Sequence, residues 1–200
     1  MKRYALVLIV VLLLAGAATA QVSKNFNLYA GGGITFPTTL SGLNENWKDG
    51  YHIMGGVGFS VLPKVQGLVK LEFHQLNLDW EELNYTDVSG NAFQSLLMGV
   101  EGRAGIGVPA VRLRPYVIAG FGIAKISYSE VEVPSGVAIP TLPTPAGFFD
   151  NKSEFYYNLG VGVNYKMMPM LNVFIQLQTV RISTEGKTSS LFPLTVGVKL

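Results

Sequence analysis

The chain has 200 residues, 15 basic and 13 acidic side chains, a formal net charge of +2 and no cysteine. That length suits one domain, the missing thiols exclude disulfides and thiolate metal sites, and the near balance of charge gives nucleic acid no electrostatic footprint. Only 14% of the residues are charged, against about 25% in an ordinary soluble domain, so something other than water must cover much of the surface.

In chain order, the first element is a leader. Lys2 and Arg3 precede an unbroken apolar run from Ala5 to Leu14, and Ala18-Thr19-Ala20 form an A-x-A site ahead of Gln21. This layout predicts a cleaved signal peptide over residues 1 to 20, with retention as an uncleaved anchor as the alternative; the run is short for a helical span of about 20 residues. Residues 21 to 200 then form the mature domain.

From Phe26 onward the apolar residues recur every second position, which places them on one face of a strand and polar or tiny residues on the other. The pattern predicts strands over residues 26 to 36, 51 to 62, 65 to 76, 92 to 106, 112 to 128, 154 to 166, 171 to 181 and 190 to 200. In the first, Phe26, Leu28, Ala30, Gly32, Ile34 and Phe36 oppose Asn27, Tyr29, Gly31, Gly33 and Thr35. The last ends in alternating Leu194, Val196, Val198 and Leu200. Connections between these strands alternate strictly between long and short, from tight at Pro63-Lys64 to longest over residues 129 to 153.

Eight alternating strands behind a leader predict an all-β fold, an eight-stranded antiparallel up-and-down transmembrane β-barrel, with short periplasmic turns, long extracellular loops and both termini in the periplasm. A soluble barrel of lipocalin type would invert the faces. Charge argues against it: the first two strands hold no Lys, Arg, Asp or Glu, and charges in later strands fall mostly on the small-residue face. Outward aromatics near strand ends, such as Tyr51, Phe155 and Tyr165, fit interfacial girdles.

Three segments carry a family resemblance: Arg114-Pro115-Tyr116-Val117-Ile118-Ala119-Gly120-Phe121-Gly122, Tyr157 through Lys166 (YNLGVGVNYK), and Phe192 through Leu200 (FPLTVGVKL). With the pattern of the whole mature chain, they resemble the small outer-membrane β-barrel family, the OmpA/OmpX-type barrels often called porin family proteins. The resemblance implies an integral protein of the Gram-negative outer membrane that contacts lipid and is handed to the barrel assembly machinery through its C-terminal strand. Members commonly end in an aromatic residue, whereas this chain ends in Leu200.

Several residues are candidates for function. Lys70, Glu72, Glu101, Arg103, Arg114 and Glu154 are expected as a lumen charge cluster, three of each sign; an eight-stranded barrel is just wide enough for side chains to fill, so they should pair as a plug, with a narrow gated path for water or small ions as the alternative. His52 and His74 should meet on neighbouring strands near Glu72, a weak metal candidate without an identifiable third or fourth ligand, and no metal or other cofactor is expected. Trp47, Trp80, Phe148 and Phe149 are the candidates for loop interaction. No G-x-S-x-G or H-E-x-x-H pattern occurs, and Gly31-Gly32-Gly33 lacks the Lys-Ser or Lys-Thr of a phosphate loop. The expected role is envelope integrity and surface interaction by a monomer with an unknown extracellular ligand and no nucleic acid; the alternatives are a small-solute or ion pore and a lipid-modifying enzyme.

Overall fold

Each strand follows from its alternation: one row of side chains faces outward and the other fills the interior, so the sheet is stable only if it closes on itself. The computed structural model describes residues 26–39, 47–77, 79, 89–90, 92–106, 112–128, 131–132, 152–168, 170–184 and 187–200. Its long strands are β1 (Phe26–Thr39), β2 (Gly50–Leu62), β3 (Val65–Asn77), β4 (Ala92–Gly105), β5 (Leu113–Tyr128), β6 (Lys152–Lys166), β7 (Asn172–Thr184) and β8 (Lys187–Lys199). Every neighbouring pair is antiparallel, and β1 pairs with β8 to close an eight-stranded barrel. A two-residue ladder joins Ser89–Gly90 to Val131–Glu132. No described helix is long and apolar enough to cross a membrane.

The predicted strands are all present; most ends shift by no more than two residues, and three shift further. β1 runs on to Thr39, with an irregularity in its pairing to β8 between Pro37 and Thr39. β7 and β8 extend until only residues 185 and 186 separate them, so the medium connection expected over 182 to 189 is largely strand.

Face assignment follows the predicted parity. Tyr29 and Thr35 of β1, His52 and Met54 of β2, and Tyr156 and Asn158 of β6 are buried inside, while Ile34, Ile53, Phe155, Leu159 and Val161 point outward and are half exposed. The outer face is therefore a continuous apolar band that only lipid or an equivalent apolar phase can cover. Glycine relieves crowding where the interior is tightest: at Gly162 an added Cβ would run into the Tyr116 ring, and at Gly197 into that of Phe174. The connections over 63–64, 106–112 and 167–171 and the described chain ends share one end of the barrel, here the turn end; the three longest connections share the other, the loop end, with the two-residue connection between β7 and β8.

Candidate functional site in the barrel lumen

The interior is stratified. Toward the loop end, Trp47, Leu76, Phe93, Leu97, Ile126, Tyr156, Val180, Ile182 and Leu191 form a buried apolar plug, with Trp47 edge-on to Phe93 at 6.1 Å between ring centroids. Nearer the turn end, Tyr29, Met54, Leu68 and Phe174 form a second apolar group. A polar layer supplied by β1, β2, β3, β4, β6, β7 and β8 lies beneath the plug and interleaves with this second group, Arg103 over the Tyr29 and Phe174 rings and Gln176 against Met54.

β3 and β4 provide its permanent charges. Alternation puts Lys70 and Glu72 on one lumen row and Glu101 and Arg103 on the next, and all four are buried. Lys70 Nζ donates to Glu72 Oε2 at 2.8 Å and lies 3.1 Å from Glu101 Oε2, and Arg103 Nε donates to Glu101 Oε1 at 2.7 Å. The two cations and two carboxylates cancel, as charges buried in so narrow a space must. Neutral groups complete the set: Asn158 Nδ2 and Gln178 Nε2 each donate to Glu101 Oε2 at 3.1 Å, and Arg103 Nη2 donates to Gln176 Oε1 at 3.0 Å. The Arg103 guanidinium also stacks over Tyr29, 4.6 Å from the ring centroid.

The histidines meet on neighbouring strands, His52 directly opposite His74; the Leu62–Val65 rung at the turn alone would set His52 against Gln75, and an irregularity between Ser60 and Leu62 shifts the register by one. Thr35 Oγ1 lies 2.9 Å from Nδ1 of both rings, His52 Nε2 is 2.9 Å from Thr195 Oγ1, and His74 Nε2 is 3.3 Å from Glu72 Oε1. Thr35 has one hydroxyl proton, which restricts the tautomers. With one choice of tautomers Thr195 donates to His52 Nε2, His52 Nδ1–H to Thr35, and Thr35 to His74 Nδ1. His74 Nε2 then faces Glu72 Oε1 across 3.3 Å without a well-formed hydrogen bond, and neither atom has a hydrogen-bond partner among the described residues.

His52, His74 and Glu72 also bring one ligand atom each within 4.8 Å of one another. The His74–Glu72 distance suits an edge of a tetrahedral site with ligands at about 2.0–2.2 Å. His52 Nε2, however, is 4.0 Å from Glu72 Oε1 and already engaged by Thr195. A divalent cation would add positive charge to a set whose charges already cancel, beside the Lys70 ammonium. Thr35, His74 and Glu72 have the order of a hydroxyl, base and carboxylate, yet all three are fully buried, which leaves no room for a substrate.

Three expected site residues fall elsewhere. Arg114 faces inward but is exposed, because the β4 ladder ends at the Gly105–Tyr116 pair and Arg114 lies beyond it, opposite Asn164 of β6. Glu154 is half-buried at the rung of Ala124, level with the apolar plug rather than the charged layer. Trp47, expected on an interacting loop, is buried in the plug at 8% exposure, where its ring gains more from Phe93 and Leu76 than from water. Trp80, Phe148 and Phe149 lie outside the described residues.

Thr35, Thr195, Gln176, Gln178 and Asn158 complete the layer and were not singled out by sequence reasoning. Their inward parity was visible, but polar neutral side chains carry no motif.

Comparison with known proteins agrees with this architecture. The family described as outer membrane protein beta-barrel domain matches residues 7–199. Neisserial surface protein A has a similar fold at 11% identity and a TM-score of 0.61, covering 88% of this chain and 96% of its own. The N-terminal barrel domain of Pseudomonas aeruginosa OprF is 18% identical with a TM-score of 0.46, covering 88% and 98% respectively. No curated protein matches the chain in sequence. With a closed eight-stranded barrel, an apolar outer band and a family match across nearly its whole length, the chain belongs to the outer membrane protein β-barrel family and is an integral protein of the bacterial outer membrane.

Proposed function

We propose that the protein is a sealed, non-enzymatic barrel that contributes to envelope integrity and presents its long connections at the cell surface, as a monomer. The observation that carries this reading is the double closure of the lumen, an apolar plug above a charge-balanced polar layer. Such a lumen opposes ion passage, because a conducted ion would have to displace buried pairs and then cross apolar side chains. The three longest connections lie at one end of the barrel, which supports a turn end in the periplasm and a loop end outside. Surface interaction is then the task of the long connections, with Trp80, Phe148 and Phe149 as contact residues. Residues 1 to 20 act as the export signal, removed before Gln21, and the terminal strand is the segment presented to the assembly machinery.

Planar-bilayer recording of the refolded mature protein tests the closure: the expected result is an unchanged baseline, and steady single-channel conductance would move the protein to the pore class. Binding screens with intact cells bearing the barrel with or without residues 133 to 151 test the surface role. Equal binding by both would refute the assignment to that loop.

A further inference from the structure

The two barrel ends differ in charge. Of the chain's 13 acidic residues, Glu72 and Glu101 sit in the central layer, and every other one falls in a loop-end connection or a strand position beside it. The segments that join strands at the turn end carry none, whereas Lys64, Arg112, Arg114, Lys166 and Lys199 gather there.

Several of these cations converge on one cavity. It opens at the turn end, has a volume of about 150 Å³, and is lined by Lys64, Gln66, Arg103, Arg114, Asn164 and Lys199 among others, with no acidic side chain in its wall. Arg103 is 3% exposed and held rigidly by Glu101 and Gln176, while its Nη1 has no partner among the described residues. Lys199 Nζ is steered to the mouth by a 3.1 Å hydrogen bond to Gln66 Oε1, which the Tyr29 hydroxyl fixes in turn at 2.7 Å. Like charges drawn together in a partly enclosed space repel one another unless an anion joins them. A planar guanidinium fork beside ammonium groups matches the oxygens of a phosphate. The volume admits such a group.

We propose that the turn-end mouth of the barrel is a binding site for a phosphate-class oxyanion, gripped by Lys64, Arg114 and Lys199 above a floor formed by Arg103. The anion is either free phosphate or the phosphate of a lipid headgroup, since this end lies where the apolar band meets water. The site shares Arg103 with the polar layer but does not depend on the sealed-barrel reading, because it is open at the turn end whether or not the lumen conducts.

The test uses the mature protein in a sugar-headgroup detergent, which brings no phosphate of its own. Inorganic phosphate is titrated against chloride at matched ionic strength, with arginine side-chain NMR signals as readout. Saturable shifts specific to phosphate are expected, and Arg114→Gln combined with Lys199→Gln should weaken the affinity at least about tenfold. Lys48→Gln at the loop end should leave it unchanged, and heat-modifiable gel mobility confirms that each variant is folded. Absence of a phosphate-specific shift, or equal affinity in the folded double variant, would overturn the proposal. Nanodiscs separate the sources: a shift in phosphatidylglycerol relative to a phosphate-free glycolipid bilayer assigns a headgroup, and a shift that needs added phosphate assigns the free anion.

Discussion

Lys70 is the residue whose removal most directly probes the closed lumen. Its ammonium is fully buried, 2.8 Å from Glu72, 3.1 Å from Glu101 and 3.3 Å from Gln178. In Lys70→Met, Glu101 keeps Arg103, but Glu72 is left with only the two histidines and without a permanent counter-charge. Breaking one side of a buried pair costs about 3 to 5 kcal/mol, whereas replacing both members by neutral groups is often close to harmless. Lys70→Met should therefore be strongly destabilising, and adding Glu72→Gln should restore more than half of the loss, since the uncompensated buried charge is then gone. The coupling energy in the double-mutant cycle should reach at least about 2 kcal/mol. Denaturant unfolding in micelles, followed by tryptophan fluorescence and unboiled gel mobility, measures all four proteins. The reasoning is refuted if Lys70→Met costs no more than Lys125→Met, an outward-facing change near the loop end, or if the double variant is no better than the single one.

Three further outcomes are expected. Gly162→Val should lower stability by about 1 to 3 kcal/mol through overpacking, because its side chain would occupy the Tyr116 ring, and Tyr116→Leu should recover part of that loss in the same unfolding assay. Leu159→Arg, on the outward face midway along β6, should cost about 2 to 4 kcal/mol in lipid, while Met167→Arg beyond the strand end should cost about 0 to 1 kcal/mol; refolding titrations in lipid vesicles distinguish them. Protease added to intact cells should cut between residues 133 and 151 and spare Pro63-Lys64, and cutting at that turn would reverse the topology.

The interior also explains how the barrel reconciles polarity with closure. An aqueous channel would leave the lumen charges solvated and their pairing optional. Here the side chains fill the space, so the hydrogen bonds that replace water come from protein groups, and the layer draws on seven strands for those it makes. The apolar plug above it removes the other route by which water could enter from the loop end.

The sequence by itself determined the strands, their number and which row of each faces inward, because a period of two is a local property of the chain. It also put His52 and His74 on neighbouring strands and one lumen face, whereas their direct opposition depends on an irregularity between Ser60 and Leu62 that shifts the register set by the turn at Pro63-Lys64. What only the tertiary structure decided is the height of each inward residue along the barrel axis. Lys70 meets Glu101 across a strand pair joined by a long connection, so no turn geometry fixes that register in advance. Arg114 and Glu154 share the inward parity of the cluster but stand above or below it, and Trp47 leaves its loop for the plug. Stagger between strands accumulates around a closed barrel and sets these heights, and only closure of β1 on β8 brings Thr195 to His52 and completes the layer.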